Sequence, residues 1–144
     1  MKQVTVWETA VSDRSGMGQL QLAQYSGGAS LSVAAPPPDY KETVSVDLIT
    51  LDEFLEEKKA APPSLVKIDV EGAEINVLKG MVNLIEKHKP IIIFEIDDGE
   101  VAAFQKKKTI CTDFLQNMGY TIELLPDSYP HAGWIVENYV ALPA

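Results

Sequence analysis

A single cysteine, Cys111, in 144 residues excludes an internal disulfide and any zinc site built on cysteines. Histidine is almost as scarce: His88 and His131 stand alone, without a partner at metal-ligand spacing. Positive charge is short as well. Lys plus Arg number 12 against 21 Asp plus Glu, for a net charge of -9 and a pI of about 4.6. That balance argues against nucleic-acid and anionic-membrane partners, both of which call for clustered positive charge. The one basic run, Lys106-Lys107-Lys108, falls in a helical pattern and reads as a solvated face. No stretch approaches the roughly 18 apolar residues of a membrane span. The first ten residues carry no signal-peptide core, so a soluble, cytoplasmic chain is expected. Ser30 and Ser64 lack a G-x-S-x-G elbow, which removes the usual hydrolase argument. Gly16-Met17-Gly18 is followed by alternating Gln19-Leu20-Gln21-Leu22 rather than by a helix; it reads as a hairpin turn, not a phosphate cradle.

The composition that remains, 46% apolar and 23% charged, is that of a folded domain. Val4 to Val11 is rich in β-branched residues and reads as a strand, followed by a turn over 12–18 and a strand from Gln19 to Ala23. Gly27-Gly28 and Pro36-Pro37-Pro38 bracket an excursion that reads as loop. Thr43 to Leu48 alternates again, and Thr50-Leu51-Asp52-Glu53 fits a capping box that opens a helix to about Lys59. From Leu65 the pattern becomes strand, helix, strand, helix. Leu65 to Val70 is a strand, and Val77, Leu78, Met81, Leu84 and Ile85 recur at helical period up to Pro90. The continuous apolar run Ile91 to Ile96 predicts a strand buried on both faces. A second helix carries Val101, Phe104, Cys111, Phe114, Leu115 and Met118 on one side, with Gly119 as its cap and Cys111 as a core residue. Two closing strands, Tyr120 to Leu125 and Trp134 to Leu142, pair across the loop 126–133. The expected class is α/β, a mostly parallel sheet with an antiparallel C-terminal strand pair.

Ligands of parallel sheets bind beyond the carboxyl ends of the strands, and two strands here end in acid. Period-two alternation sets Asp69 and Glu71 on one side of the first, and Glu95 and Asp97 on one side of the second. If these strands are neighbours, four carboxylates converge on one rim. Asp69 stands within an apolar strand, where an unpaired carboxylate is costly, and so reads as functional. Glu74 reads as an acidic helix start.

Leu65-Val66-Lys67-Ile68-Asp69-Val70-Glu71-Gly72-Ala73-Glu74, followed by Val77-Leu78-Lys79-Gly80, resembles the central signature of FkbM-type methyltransferases. Ala10-Val11-Ser12-Asp13, Thr50 to Phe54, Pro90 leading into Ile93-Phe94-Glu95, Gly119-Tyr120 and Asn138 to Pro143 match in order, so the resemblance spans nearly the whole chain. It implies a Rossmann-like class I methyltransferase sheet and S-adenosylmethionine as cofactor. On that scheme Val4 to Val11 resembles the family's third strand, Val66 to Val70 the fourth and Ile91 to Ile96 the fifth. The first strand with its glycine-rich loop, and the second with its ribose-holding acid, have no counterpart. The resemblance therefore implies a single partial domain over residues 1–144, truncated at its N-terminus. Carried over by position, Thr9, Ala10 and Val11 resemble the segment beside the adenine. Asp69 resembles the acid near the transferred methyl, touching both cofactor and chemistry, while Glu71 and Glu95 would flank the acceptor. Asp69 or Glu71 would accept a proton from a small-molecule or sugar hydroxyl.

Three functions remain open at this point: an O-directed methyltransferase, a non-catalytic partner-binding remnant that binds no S-adenosylmethionine, and a phosphotransfer enzyme holding magnesium on Asp69, Glu71 and Glu95. Unpaired edges on the third and fourth strands would also favour self-association.

Overall fold

A computed structural model of the chain describes residues 3–24, 29–32, 34, 36–37, 39–126 and 135–144. Gly27-Gly28, Pro38, His131, Trp134 and most of the loop 126–133 lie outside the described residues. The described strands form two four-stranded sheets rather than one mostly parallel sheet. The first contains β1 (Ala10–Val11), β2 (Gly16–Ala23), β3 (Ser30–Leu31) and β4 (Tyr40–Ile49), in the order β1-β4-β2-β3. Only its β1–β4 pair is parallel; β2 runs antiparallel to both β3 and β4. The second contains β5 (Leu65–Ile68), β6 (Ile91–Asp98), β7 (Tyr120–Leu124) and β8 (Ile135–Pro143), in the order β5-β6-β8-β7. Here β5 and β6 are parallel, and the expected antiparallel C-terminal pair, β7 with β8, is present. The overall class is α/β with mixed sheets.

The first sheet departs most from the sequence reading. Of the strand expected over 4–11, only Ala10–Val11 is paired, and Val4, Val6 and Trp7 are exposed. Trp7 instead meets Phe54 edge-on at 5.3 Å, with the Lys58 ammonium 5.0 Å from its ring centre. Gly16 to Gly18 belongs to β2 rather than to a turn. A Cβ on Gly18 would come within 2.8 Å of the Leu48 side chain, so the glycine makes room for a neighbouring core residue inside the ladder.

Helix α1 (Leu51–Lys58) starts as its capping box dictates: the Thr50 hydroxyl accepts from the Glu53 amide at 3.1 Å and donates to the Glu53 carboxylate at 3.0 Å. The long helix expected after β5 is two, α2 (Glu74–Lys79) and α3 (Val82–His88), broken at Gly80. A Cβ on Gly80 would fall 2.0 Å from the Ser12 carbonyl oxygen, so only glycine lets this corner close on the chain after β1. The break leaves the first amides of α3 without helical partners, and the Asp52 carboxylate accepts from the Asn83 and Leu84 amides at 2.8 and 2.9 Å. The last helix, α4 (Val101–Asn117), packs on β6, β7, β8 and α2.

The main core is gathered on one face of the second sheet. Ile68, Ile92, Phe94 and Ile96 meet Val77, Leu78 and Leu84 from α2 and α3, and Phe104, Cys111 and Leu115 from α4. Phe94 stacks on Tyr139 at 5.3 Å. Burying a ring of this size contributes about 1.5–3 kcal/mol relative to leaving it in water. Strand β6 is buried on this face alone; Ile93, Glu95 and Asp97 on the other face are partly accessible, in place of the two-sided burial expected. A smaller cluster, Leu31, Leu48 and Ala73, ties the first sheet to the second. Val70 packs against both clusters, so the turn after β5 is where the two halves meet.

Candidate active site

That turn also carries the acids. Strand β5 stops at Ile68, and Glu71 and Gly72 come next in the turn with φ of +51° and +94°. Two successive left-handed residues reverse the chain within a few positions. Glycine adopts this geometry freely, whereas for Glu71 it costs on the order of 1–2 kcal/mol. Glu74 holds the strained pair in place. It is 3% exposed, and its carboxylate accepts from the Gly72 amide at 2.9 Å. Glu74 does open helix α2, as expected, and its buried carboxylate also braces the turn before it.

The acid-tipped strands are neighbours, as their helical crossover allows, with Lys67 opposite Ile93 and Ile68 opposite Phe94. Burial and the charges of Asp97, Asp69, Glu95 and Glu74 together push the Glu71 carboxyl up to about 7. Burial likewise raises Glu74, against the opposing pull of the Gly72 amide. Asp69 differs from expectation. It lies just past the end of β5, is exposed, and pairs with Lys67 at 3.4 Å. A strand of four residues ends before reaching it, and water supplies the solvation that a buried position would have denied.

Lys107 is the cation of this neighbourhood. From α4 it donates to the Asp97 carbonyl at 2.8 Å and pairs with the Asp98 carboxylate at 3.0 Å. Burial works to raise Asp98, but hydrogen bonds from the Glu100 amide and from Lys107 outweigh it and hold that carboxyl low. Lys108, next along, pairs with Glu137 at 3.1 Å and lies 5.2 Å from the Tyr139 ring centre. The Tyr139 hydroxyl donates to Glu137, and burial pushes that phenol up to about 12. Of the basic run, then, only Lys106 is a solvated residue. The signal was in the periodicity: Lys107 stands three residues after Phe104 and four before Cys111, on the inward stripe of α4. Cys111 is buried, as expected, and burial pushes its thiol up to about 12, far from nucleophilic use.

Thr9 and Ala10 line an open cleft of about 500 Å³ with Glu8, Leu20, Ser45 and Asp47. Val11 packs against the main core instead. Among the described residues no three His, Cys, Asp or Glu side chains are arranged to hold a metal ion, so the magnesium reading has no ligand set there. No described helix is long and apolar enough to cross a membrane.

The strained turn lies inside a recognised pattern. The methyltransferase FkbM domain model matches residues 2–122. The chain belongs to the FkbM methyltransferase family. The FkbM domain is 37% identical over 51 residues to the hexuronic acid methyltransferase AglP of Haloferax volcanii, a stretch that is 35% of this chain and 21% of that protein. Its fold resembles the crystal structure of methyltransferase FkbM from Methylobacillus flagellatus KT, with a TM-score of 0.54 and 18% identity, over 96% of this chain and 28% of that one. The match thus spans about a fifth of the first relative's length and somewhat over a quarter of the second's.

Proposed function

We propose that this FkbM domain is the acceptor-side part of an S-adenosylmethionine-dependent O-methyltransferase, with Glu71 as general base. On this reading the second sheet corresponds to the fourth, fifth, seventh and sixth strands of a Rossmann-like methyltransferase sheet, and β1 to the third. The observation that carries the proposal is Glu71: a carboxyl on a strained turn, at the ends of two parallel strands, with its proton affinity raised to about 7. General bases work best with a pKa close to the working pH. The archaeal relative's name, a methyltransferase of hexuronic acid, supports a sugar-type acceptor.

The residues present fit the cofactor in two respects. Thr9 and Ala10 line a cleft into which an adenine would fit, and the carboxylates around Glu71 suit a positively charged sulfur. When bound, S-adenosylmethionine supplies an electrophilic methyl group on a sulfonium. Glu71 takes the proton of the acceptor hydroxyl at a carboxylate oxygen, so that the oxygen attacks as its negative charge develops. Glu95, on the adjacent strand, orients the acceptor. Asp69, solvated and paired with Lys67, keeps negative charge at the cofactor side of the rim. Val11 would contribute through its backbone, since its side chain belongs to the core. Among the described residues β1 and β5 stand at the edges of their sheets, which supports a second element of the proposal, that this domain pairs there with further strands or with another copy of itself.

The test is calorimetry with S-adenosylhomocysteine, together with methyl transfer to a panel of sugar hydroxyls by the complete protein. Binding, with turnover lost about 100-fold or more in Glu71→Gln, is the expected result. Binding with undiminished turnover in Glu71→Gln would remove Glu71 from the chemistry. Absence of binding would favour the non-catalytic reading.

A further inference from the structure

We infer that Lys107 is a positioning residue of this site, holding the strained turn that presents Glu71 by way of Glu74 and the end of β6. The inference deepens the proposed function and rests on it for its catalytic consequence, though its structural part stands alone.

Three contacts converge on the turn. Lys107 reaches from α4 to the last residues of β6, donating to the Asp97 carbonyl at 2.8 Å and pairing with Asp98 at 3.0 Å. The same ammonium passes over the turn: a Cβ built on Gly72 would lie 3.5 Å from its nitrogen and 3.2 Å from the Ala34 methyl. Glu74, buried below, accepts from the Gly72 amide at 2.9 Å. A buried carboxylate persists in charged form only where a cation or hydrogen bonds offset its lost hydration. The charged groups around Glu74 are unequal in sign. Asp97 from β6 and Glu71 from the turn oppose its charge, and Lys107 from α4 supports it, with the Cys111 thiol of α4 also nearby. Asp69, just past the end of β5, faces Glu71 and pairs with Lys67, and Asp98 takes up Lys107 from β6.

The consequence is a chain of dependence. Lys107 works with the Gly72 amide against the burial that favours the neutral form of Glu74, the ionised carboxylate accepts more strongly from that amide, and the bond holds the left-handed pair Glu71-Gly72. Removing the cation favours the neutral form of Glu74, so its proton affinity rises and the turn loosens at a higher pH than before. The predicted loss is local, because Lys107 is itself one-third accessible and the core of α4 is carried by Phe104, Cys111 and Leu115.

The measurement is amide hydrogen exchange at Gly72 as a function of pH, in the wild-type chain and in Lys107→Met, Lys107→Arg and Glu74→Gln. In the wild type, protection falls on acidification as Glu74 takes up a proton. Lys107→Met is expected to move that fall to higher pH and to speed exchange by about tenfold near neutrality, the equivalent of one charge-assisted hydrogen bond. Lys107→Arg restores the wild-type profile, and Glu74→Gln, which retains an acceptor oxygen, removes the pH step. Unchanged Gly72 exchange in Lys107→Met, or equal loosening in Lys107→Arg, would overturn the inference. So would protection lost uniformly across α4 with no shift along the pH axis, since that marks a packing role. None of these outcomes depends on methyl transfer, so a failed cofactor assay leaves the result readable.

Discussion

The two sheets of this FkbM domain are built on opposite terms. In the second, α2, α3 and α4 cover one face, and residues such as Leu78, Ile92, Phe94 and Leu115 are wholly removed from water. In the first, β4 runs ten residues with Leu48 as its only fully buried side chain, and among the described residues the sheet buries Leu31, Leu48 and Ser30. Hydrophobic burial scales with the apolar area removed from water, so the helix-covered sheet supplies most of the stability. The first sheet depends on its seam with the second, through Val70, Ala73 and the Gly80 corner. The turn that carries Glu71 sits on that seam, where a densely packed half and a loosely covered half meet.

This contrast breaks first at the core. Phe94→Ala removes a fully buried ring stacked on Tyr139 and is expected to cost about 3–5 kcal/mol by denaturant unfolding. A cost below about 1 kcal/mol would mean that the second sheet does not carry the fold. The seam comes next. Gly80→Ala would set a methyl against the Ser12 carbonyl and is expected to destabilise by about 1–3 kcal/mol. Its exchange signature should centre on Ser12 and the start of α3 rather than on β6. At the small end, Val44→Thr at an exposed position of β4 should fall within about 0.5 kcal/mol of wild type. A larger loss there would show that the first sheet is covered by something in solution.

The features legible in the sequence are the local ones. The capping box at Thr50 and Glu53, the apolar stripe of Phe104, Cys111 and Leu115, and the alternation that ends each of two strands in acid arise from spacing that one element can satisfy by itself. So does the family signature from Leu65 to Gly80. What was missed is tertiary. The Val4–Thr9 segment has strand propensity, but β-propensity is realised only where a partner strand is present, and β4 takes it up at Ala10 and Val11 alone. Gly80 reads as a tolerable glycine in a long helix until the Ser12 carbonyl is placed against it. Gly16 to Gly18 reads as a turn because the side chain that needs the space at Gly18, Leu48, lies thirty positions away on β4. At the site, alternation placed the carboxylates together, yet the exposure of Asp69 and the bracing role of Glu74 depend on where β5 ends.

Glu71 also sets a pH dependence whose sign is fixed. A carboxyl raised from 4.5 to about 7 in the folded chain favours folding most when protonated. Its contribution is fully present below about 4.5 and is lost as the pH rises through about 7. Glu71→Gln should therefore flatten this part of the stability profile. The most direct measurement is the side-chain carboxyl titration of Glu71, followed by carbon NMR in the folded wild-type chain and assigned through Glu71→Gln. A midpoint near 7 is the result required by a carboxyl held on a strained turn among four others. A midpoint at the ordinary 4.5 would contradict it and remove the ground on which Glu71 is proposed as the base.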